Sequence, residues 1–232
     1  MQQLKRLAAD VIGLLFPNLC NGCGNMLYKG ESVICAYCLS DLPYTDYHLH
    51  RENKVAKQLW GRLQFNAAMS MLYFKKEGKV QNLIHNLKYN GKSEVGYLLG
   101  TLLGEKLAIS TDYKNIDGIV PVPLHPKRQR KRGYNQSEHI AEGIAAVLGV
   151  DVYPNVLIRE KITDTQTRKS RFIRYENMSS VFAIADEQSL EEKHILLVDD
   201  VFTTGATFEA CGTTLLAGGL KKLSIASVAF SS

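Results

Sequence analysis

No run in this 232-residue chain is apolar for long enough to cross a bilayer, so stable membrane insertion is not expected. There is no low-complexity tract and no internal repeat, which excludes solenoids and repeat arrays. A Gly-Lys-Ser/Thr ending, needed by a Walker phosphate loop, is missing. So is the triplet of spaced glycines that a dinucleotide fingerprint requires. What is present is the composition of a globular protein, 45% apolar and 22% charged. The length suffices for one good core plus a small appendage. A net charge of +5 suits an anionic substrate or nucleic acid without choosing between them.

Near the start, Lys5 and Arg6 precede a fairly apolar stretch over 7–16. Asp10 interrupts it and no small-residue cleavage site follows, so a secretion signal is not expected. Leu4, Leu7, Ala8, Val11, Ile12 and Leu15 recur at helical spacing. The amphipathic helix they predict could pack on the domain or lie against a membrane surface. A cytoplasmic protein is the expectation.

Four of the five cysteines read Cys20-x2-Cys23-x11-Cys35-x2-Cys38. Paired C-x-x-C knuckles have the spacing of a four-thiolate structural zinc site. Gly22 and Gly24 relax the backbone in the first turn. So short a segment cannot bury a core, so Zn2+ would supply its folding energy. Disulfides are the alternative, disfavoured in a reducing compartment. Cys211 falls in a predicted helix and reads as a buried thiol. His48 and His50 could ligate metal, or belong to a solvated linker.

The most informative run is 194–207, H-I-L-L-V-D-D-V-F-T-T-G-A-T. Four apolar residues predict a buried strand, the carboxylates of Asp199 and Asp200 follow at its end, and a Thr/Gly loop opens a helix. In that loop Thr203, Thr204, Gly205, Ala206 and Thr207 would hold a phosphate on backbone N–H groups and hydroxyls at a helix N-terminus. Asp199 and Asp200 could accept from neighbouring sugar hydroxyls. A bland reading, an aspartate pair beside an ordinary βα turn, stands next to this one.

Helices are predicted over 80–88, 93–108, 136–148 and 206–216, with a shorter one over 170–177. Strands are predicted over 67–74, 116–122, 152–158, 195–198 and 223–230, with an edge strand over 181–184. From residue 116 onward the alternation predicts a parallel sheet flanked by helices, with ligands beyond the carboxyl ends of the strands. Residues 1–45 form a helix and knuckle module, and 46–232 the α/β domain.

After the 116–122 strand, five of the six residues 127–132 are basic. This loop, with His125, Arg128, Arg132, Asn135 and Gln136, could clamp a pyrophosphate, or be merely solvated. Pro121, Pro123 and Pro126 stiffen it. A polar, basic segment over 159–170 offers Thr165, Gln166 and Thr167 as a lid, or is a plain surface loop.

The 194–207 run resembles the phosphoribosyl-pyrophosphate (PRPP) motif of type I phosphoribosyltransferases. More widely, V-P-V-P-L-H-P over 120–126, R-G-Y-N-Q over 132–136, T-x-T-Q-T over 163–167, R-Y-E-N over 174–177 and L-K-Y-x-G over 87–91 stand behind the knuckles. Together they resemble the ComF family along nearly the whole chain. Lys169 departs from it, where relatives usually carry Leu. The resemblance implies an α/β type I phosphoribosyltransferase fold behind a small four-cysteine zinc module. It implies PRPP and Mg2+ as ligands, a phosphoribosyl transfer to an unknown acceptor, and a role in natural transformation, where single-stranded DNA is handled in the cytosol. Two other readings stand beside the enzyme. One is a single-stranded DNA adaptor, using basic loops with Tyr134, Phe172 and Tyr175; the other is a PRPP sensor without turnover. The zinc module could dock a DNA-uptake helicase or a recombination loader.

Overall fold

The computed structural model describes residues 17–159, 181–185 and 190–231. The expected N-terminal helix, the lid residues Thr165, Gln166 and Thr167, the 170–177 helix, and Phe172 and Tyr175 lie outside the described residues.

Five strands form one parallel sheet: β1 (Ala67–Tyr73), β2 (Gly118–Pro121), β3 (Asp151–Val152), β6 (His194–Phe202) and β7 (Lys222–Phe230). Their spatial order is β1-β7-β6-β2-β3. Ile195, Leu196, Leu197 and Val198 of β6 are completely buried, as a strand covered on both faces requires. No helix among the described residues is long and apolar enough to cross a membrane.

Register places the site. Pro121 of β2 pairs with Val198 of β6, and the Val122 N–H donates to the Val198 carbonyl at 2.8 Å. Both strands therefore deliver their following residues to one rim of the sheet. β6 continues along β7 as far as Phe202 opposite Phe230. The acid pair thus lies within the strand rather than just past its end.

Two sequence expectations change. The strand expected over 152–158 is two short ones. Tyr153 N still donates to the Ile119 carbonyl, and a turn over 154–156 then ends the pairing. The chain turns, and β4 (Leu157–Arg159) pairs antiparallel with β5 (Phe182–Ile184) in a separate sheet. The basic loop is largely a helix. His125 caps it by accepting the Lys127 N–H, Pro126 opens it, and Gly133 ends it in the left-handed region at φ 86°.

Among the described residues the α-helices are α1 (Ala36–Ser40), α2 (Lys54–Leu59), α3 (Lys79–Tyr89), α4 (Ser93–Ala108), the basic helix α5 (Pro126–Arg132), α6 (Gln136–Leu148) and α7 (Ala206–Ala217). Helices α4 and α6 touch backbone to backbone. A Cβ on Gly100 would lie 2.1 Å from the Ile140 carbonyl oxygen, and one on Gly143 2.2 Å from that of Tyr97. Gly100→Ala is expected to force the pair apart and lower stability by about 3 kcal/mol; a urea midpoint matching the parent would contradict this packing.

The knuckle module sits on α3. Asn82 and Asn86 donate their side-chain N–H groups to the carbonyls of Gly22 (2.8 Å) and Asn21 (3.0 Å). Lys79, at the start of the same helix, pairs with Asp41 and lies over the Tyr37 ring. His48 is no part of a solvated linker. It is buried, and its carbonyl accepts from Ser110 Oγ, while His50 is exposed.

Candidate functional site

The loop expected to hold a phosphate is shaped by Gly205. Its φ of 76° favours glycine, and a Cβ there would collide with Phe202 and Leu59 at 2.8 and 2.9 Å. Gly205 caps α7, whose first N–H groups have no intrahelical acceptor. Thr203, Thr204 and Thr207 are exposed, while Ala206 is half-buried. Arg62 straps the loop from outside: Nη1 donates to the Thr204 carbonyl at 2.9 Å, and the guanidinium also pairs with Glu209.

Asp199 and Asp200 have different surroundings. Asp199 Oδ1 accepts from Ser137 Oγ and from the Asp200 N–H, both at 2.8 Å. Burial, then the adjacent Asp200 charge, push the Asp199 carboxyl up to about 7. Asp200 is 4% exposed. Lys88 Nζ lies 2.9 Å from Asp200 Oδ2, yet among the described residues that oxygen has no hydrogen-bond partner. The two observations agree if the contact is an ion pair off the hydrogen-bonding direction. A buried carboxylate oxygen thus keeps capacity for a further donor.

The Asp199 shift makes a prediction. Between its ordinary value of 3.8 and about 7, the folded chain holds a proton that the unfolded chain has released. This contribution is full below the ordinary value and is lost as pH rises through about 7. Asp199→Asn should therefore gain on the parent as pH rises from 5 to 8. Discounted for partial exposure, the gain is about 2 kcal/mol, read as about 5 °C in melting temperature. A pH-independent difference would contradict the assignment.

The residues expected to clamp pyrophosphate divide into two groups. Arg128 and Arg132 line a cavity of about 330 Å³ together with Lys88, Tyr89 and Lys131. Arg132 lies over the Tyr89 ring at 5.5 Å and bonds to Gln136. Asn135 instead serves the fold, capping α6 and donating to the Val122 carbonyl. His125 caps α5, and desolvation, then Arg159 and Lys127, hold its imidazole below the ordinary value. Tyr134, expected among base-stacking aromatics, is tied down through its hydroxyl to the Leu87 carbonyl.

Sequence reasoning assigned no roles to Lys88, Ser137 or Arg62. Lys88 stands in the quoted L-K-Y-x-G string and Ser137 directly follows R-G-Y-N-Q, but neither string says which carboxylate its residue meets.

The four cysteine sulfurs lie within 4.8 Å of one another, with Cys23 and Cys35 at 3.8 Å. Thiolates on a tetrahedral ion at about 2.3 Å are separated by about 3.8 Å, so the cluster fits a metal. Backbone N–H groups of Gly22 and Cys35 point at Cys20 Sγ, at 3.4 and 3.2 Å. Burial raises the Cys20 thiol, but hydrogen bonds from Cys35, Cys23 and Gly22 together outweigh it and bring it to about 7. A Cβ on Gly22 would press on Cys38 Sγ at 3.2 Å, and Gly24 takes φ 78°. Cys211 is fully buried, its thiol raised by burial, as expected.

No family model matches the chain. Among similar proteins, DNA utilization protein YhgH of Escherichia coli K12 is 29% identical over 222 residues, covering 89% of this chain and 94% of the relative. Competence protein F of Haemophilus influenzae is 27% identical over 218 residues, covering 89% and 88%. YhgH of Salmonella typhimurium reaches 34% over 140 residues, covering 59% of this chain. That match spans 61% of the Salmonella protein, less than two thirds of its length. Similar solved structures include the glutamine PRPP amidotransferase of B. subtilis, with TM-score 0.45, 16% identity and coverage of 62% of this chain and 30% of that one. Another is the adenine phosphoribosyltransferase of Leishmania tarentolae, with TM-score 0.37, 12% identity and coverage of 78% and 89%. The chain itself shows a parallel sheet flanked by helices, with a four-cysteine cluster ahead of it.

Proposed function

This chain belongs to the ComF family, and from that premise we propose that it binds PRPP with Mg2+ and transfers the phosphoribosyl group to an acceptor, in the cytosol, as part of DNA utilization. The observation that carries the reading is the buried carboxylate of Asp200, ion-paired with Lys88 at 2.9 Å, ahead of a Gly205-shaped loop. The loop suits the 5-phosphate, and Asp199 and Asp200 suit the ribose hydroxyls. The Arg128, Lys131 and Arg132 cavity suits the pyrophosphate, which leaves with the electron pair of its bond to the anomeric carbon. Carboxylate oxygens are the hard donors Mg2+ takes, and Asp200 is the fitting one; the ion supplies neutralisation of the departing charge. Zn2+ suits the four thiols as a structural ion, with no position left for catalysis. The module around it offers a surface to a DNA-uptake helicase or recombination loader.

Incubation with PRPP, Mg2+ and a panel of amines and nucleobases, with pyrophosphate release as readout, tests the enzyme. Release above the acceptor-free rate supports it. PRPP binding without release would leave the sensor reading in its place.

The exposed Lys127, Arg128, Arg130 and Lys131 of α5 favour a second reading, single-stranded DNA binding. Four phosphate contacts predict a slope near −2.8 in log affinity against log salt, or about 50-fold between 50 and 200 mM. Fluorescence anisotropy with a labelled oligothymidylate measures it, and a flat response contradicts the reading.

A further inference from the structure

Lys88 lines two cavities of different charge. On one side it stands with Arg128, Lys131 and Arg132 around the cationic cavity, where no acid among the described residues joins them. On the other it faces a second cavity of about 400 Å³ that holds Asp200 and Thr203, and there its Nζ lies 2.9 Å from Asp200 Oδ2. Among the described residues, Lys88 is the cation that borders both. Arg132 is held over the Tyr89 ring and by Gln136. The backbone under Lys88 is fixed too, because Leu87 is fully buried and its carbonyl accepts from the Tyr134 hydroxyl. The Lys88 side chain is free of such ties. It is 22% exposed, and its ammonium rides on a flexible four-carbon stem. Asp200 is the opposite case, almost wholly buried on a strand that pairs with β7 on either side of it.

Charge decides where the ammonium rests. Three like charges already surround the cationic cavity, and Asp200 offers the opposite one, so without an anion Lys88 closes on Asp200. A polyanion among Arg128, Lys131 and Arg132 reverses the balance, because it attracts a fourth cation. Departure has a cost of its own: Asp200 then keeps a buried charge with no partner, which is strongly unfavourable until another donor replaces the ammonium. We propose that Lys88 is a positioning residue that couples the two cavities. An anion in the first draws Lys88 off Asp200, and a hydroxyl donor arriving at Asp200 displaces it in the same direction. Each ligand thereby removes an obstacle to the other. That this donor is a ribose hydroxyl rests on the PRPP reading. The sign of the effect sets it apart from plain electrostatics. Two anionic ligands in one cleft repel and should bind antagonistically, whereas a shared lysine makes each strengthen the other.

Calorimetry with inorganic pyrophosphate on the zinc-loaded full chain tests the coupling, at a pH of about 8.5 to keep carboxyls ionised, and without added Mg2+ so that no metal bridges the ligands. Asp200→Asn frees Lys88 and should tighten pyrophosphate at least about five-fold. On a Lys88→Met background the same change should gain less than about two-fold. Plain electrostatics predicts the gain on both backgrounds. If Lys88→Met fails to fold by circular dichroism, Lys88→Gln takes its place in the cycle. In the parent, saturating pyrophosphate should also raise ribose 5-phosphate affinity at least about five-fold, and this enhancement should vanish or reverse without the lysine. The proposal is overturned if pyrophosphate binds neither the parent nor Asp200→Asn, or if the gain is equal on both backgrounds. Antagonism between the two ligands in the parent overturns it as well, even where PRPP itself binds and the PRPP reading stands. A cycle that behaves as expected in a chain that takes up neither ribose 5-phosphate nor PRPP would uphold the role of Lys88 and sink the PRPP reading instead.

Discussion

Asp200→Ala should lower PRPP affinity at least 100-fold while leaving metal content at the parental level. Two sugar hydroxyls bonded to a carboxylate contribute about 1.5–3 kcal/mol each, and 3 kcal/mol is already about 100-fold. The fold should tolerate the loss. Lys88, partnered with Asp200 in the structure, is partly exposed and can turn into the cationic cavity beside it. Asp199 would also be relieved, because the Asp200 charge is the second cause of its raised pKa. Equilibrium dialysis with labelled PRPP, paired with metal analysis, reads both quantities. Loss of metal together with PRPP would mean a folding defect, and retained affinity would remove Asp200 from the site.

Stripping the metal, or making Cys38→Ser, should lower the melting temperature by about 10 °C, the consequence of losing several kcal/mol of metal-coupled folding. Cys38 is fully buried beneath Gly22, so the thiol has no route to solvent when the cluster fails. The effect should reach the cleft. Helix α3 is held by the knuckle module at Lys79, Asn82 and Asn86 and ends at Lys88 and Tyr89, which line both cavities. PRPP affinity should therefore fall several-fold and recover when Zn2+ is restored. An unchanged melting curve after complete metal removal would contradict a structural role.

The parts of this account legible in the sequence are those written in short strings. The apolar run before Asp199, the Thr/Gly loop and the knuckle cysteines lie in consecutive residues, and local geometry follows from them. The parts that were not legible join distant segments. Nothing local says that Lys88 will meet Asp200, that Arg62 will strap the carbonyl of Thr204, or that Ser137 will bond to Asp199. The spacing of Gly96, Gly100 and Gly104 is readable as one face of a helix, but not the α6 backbone it admits. Two errors were local. The basic run 127–132 is rich in good helix formers behind a capping histidine, a propensity that stands beside its charge in the same residues. Pro154 opens the turn over 154–156 inside an otherwise apolar run, and the flanking Val and Leu residues mask that turn in the sequence.

Titration calorimetry of PRPP into the zinc-loaded chain, with Mg2+ present, tests the central claim most directly. Saturable one-to-one binding is expected, competed by ribose 5-phosphate and by pyrophosphate separately, because each should occupy one part of the cleft. An absence of saturable heat at millimolar PRPP, with the chain folded and metal-loaded, would contradict it.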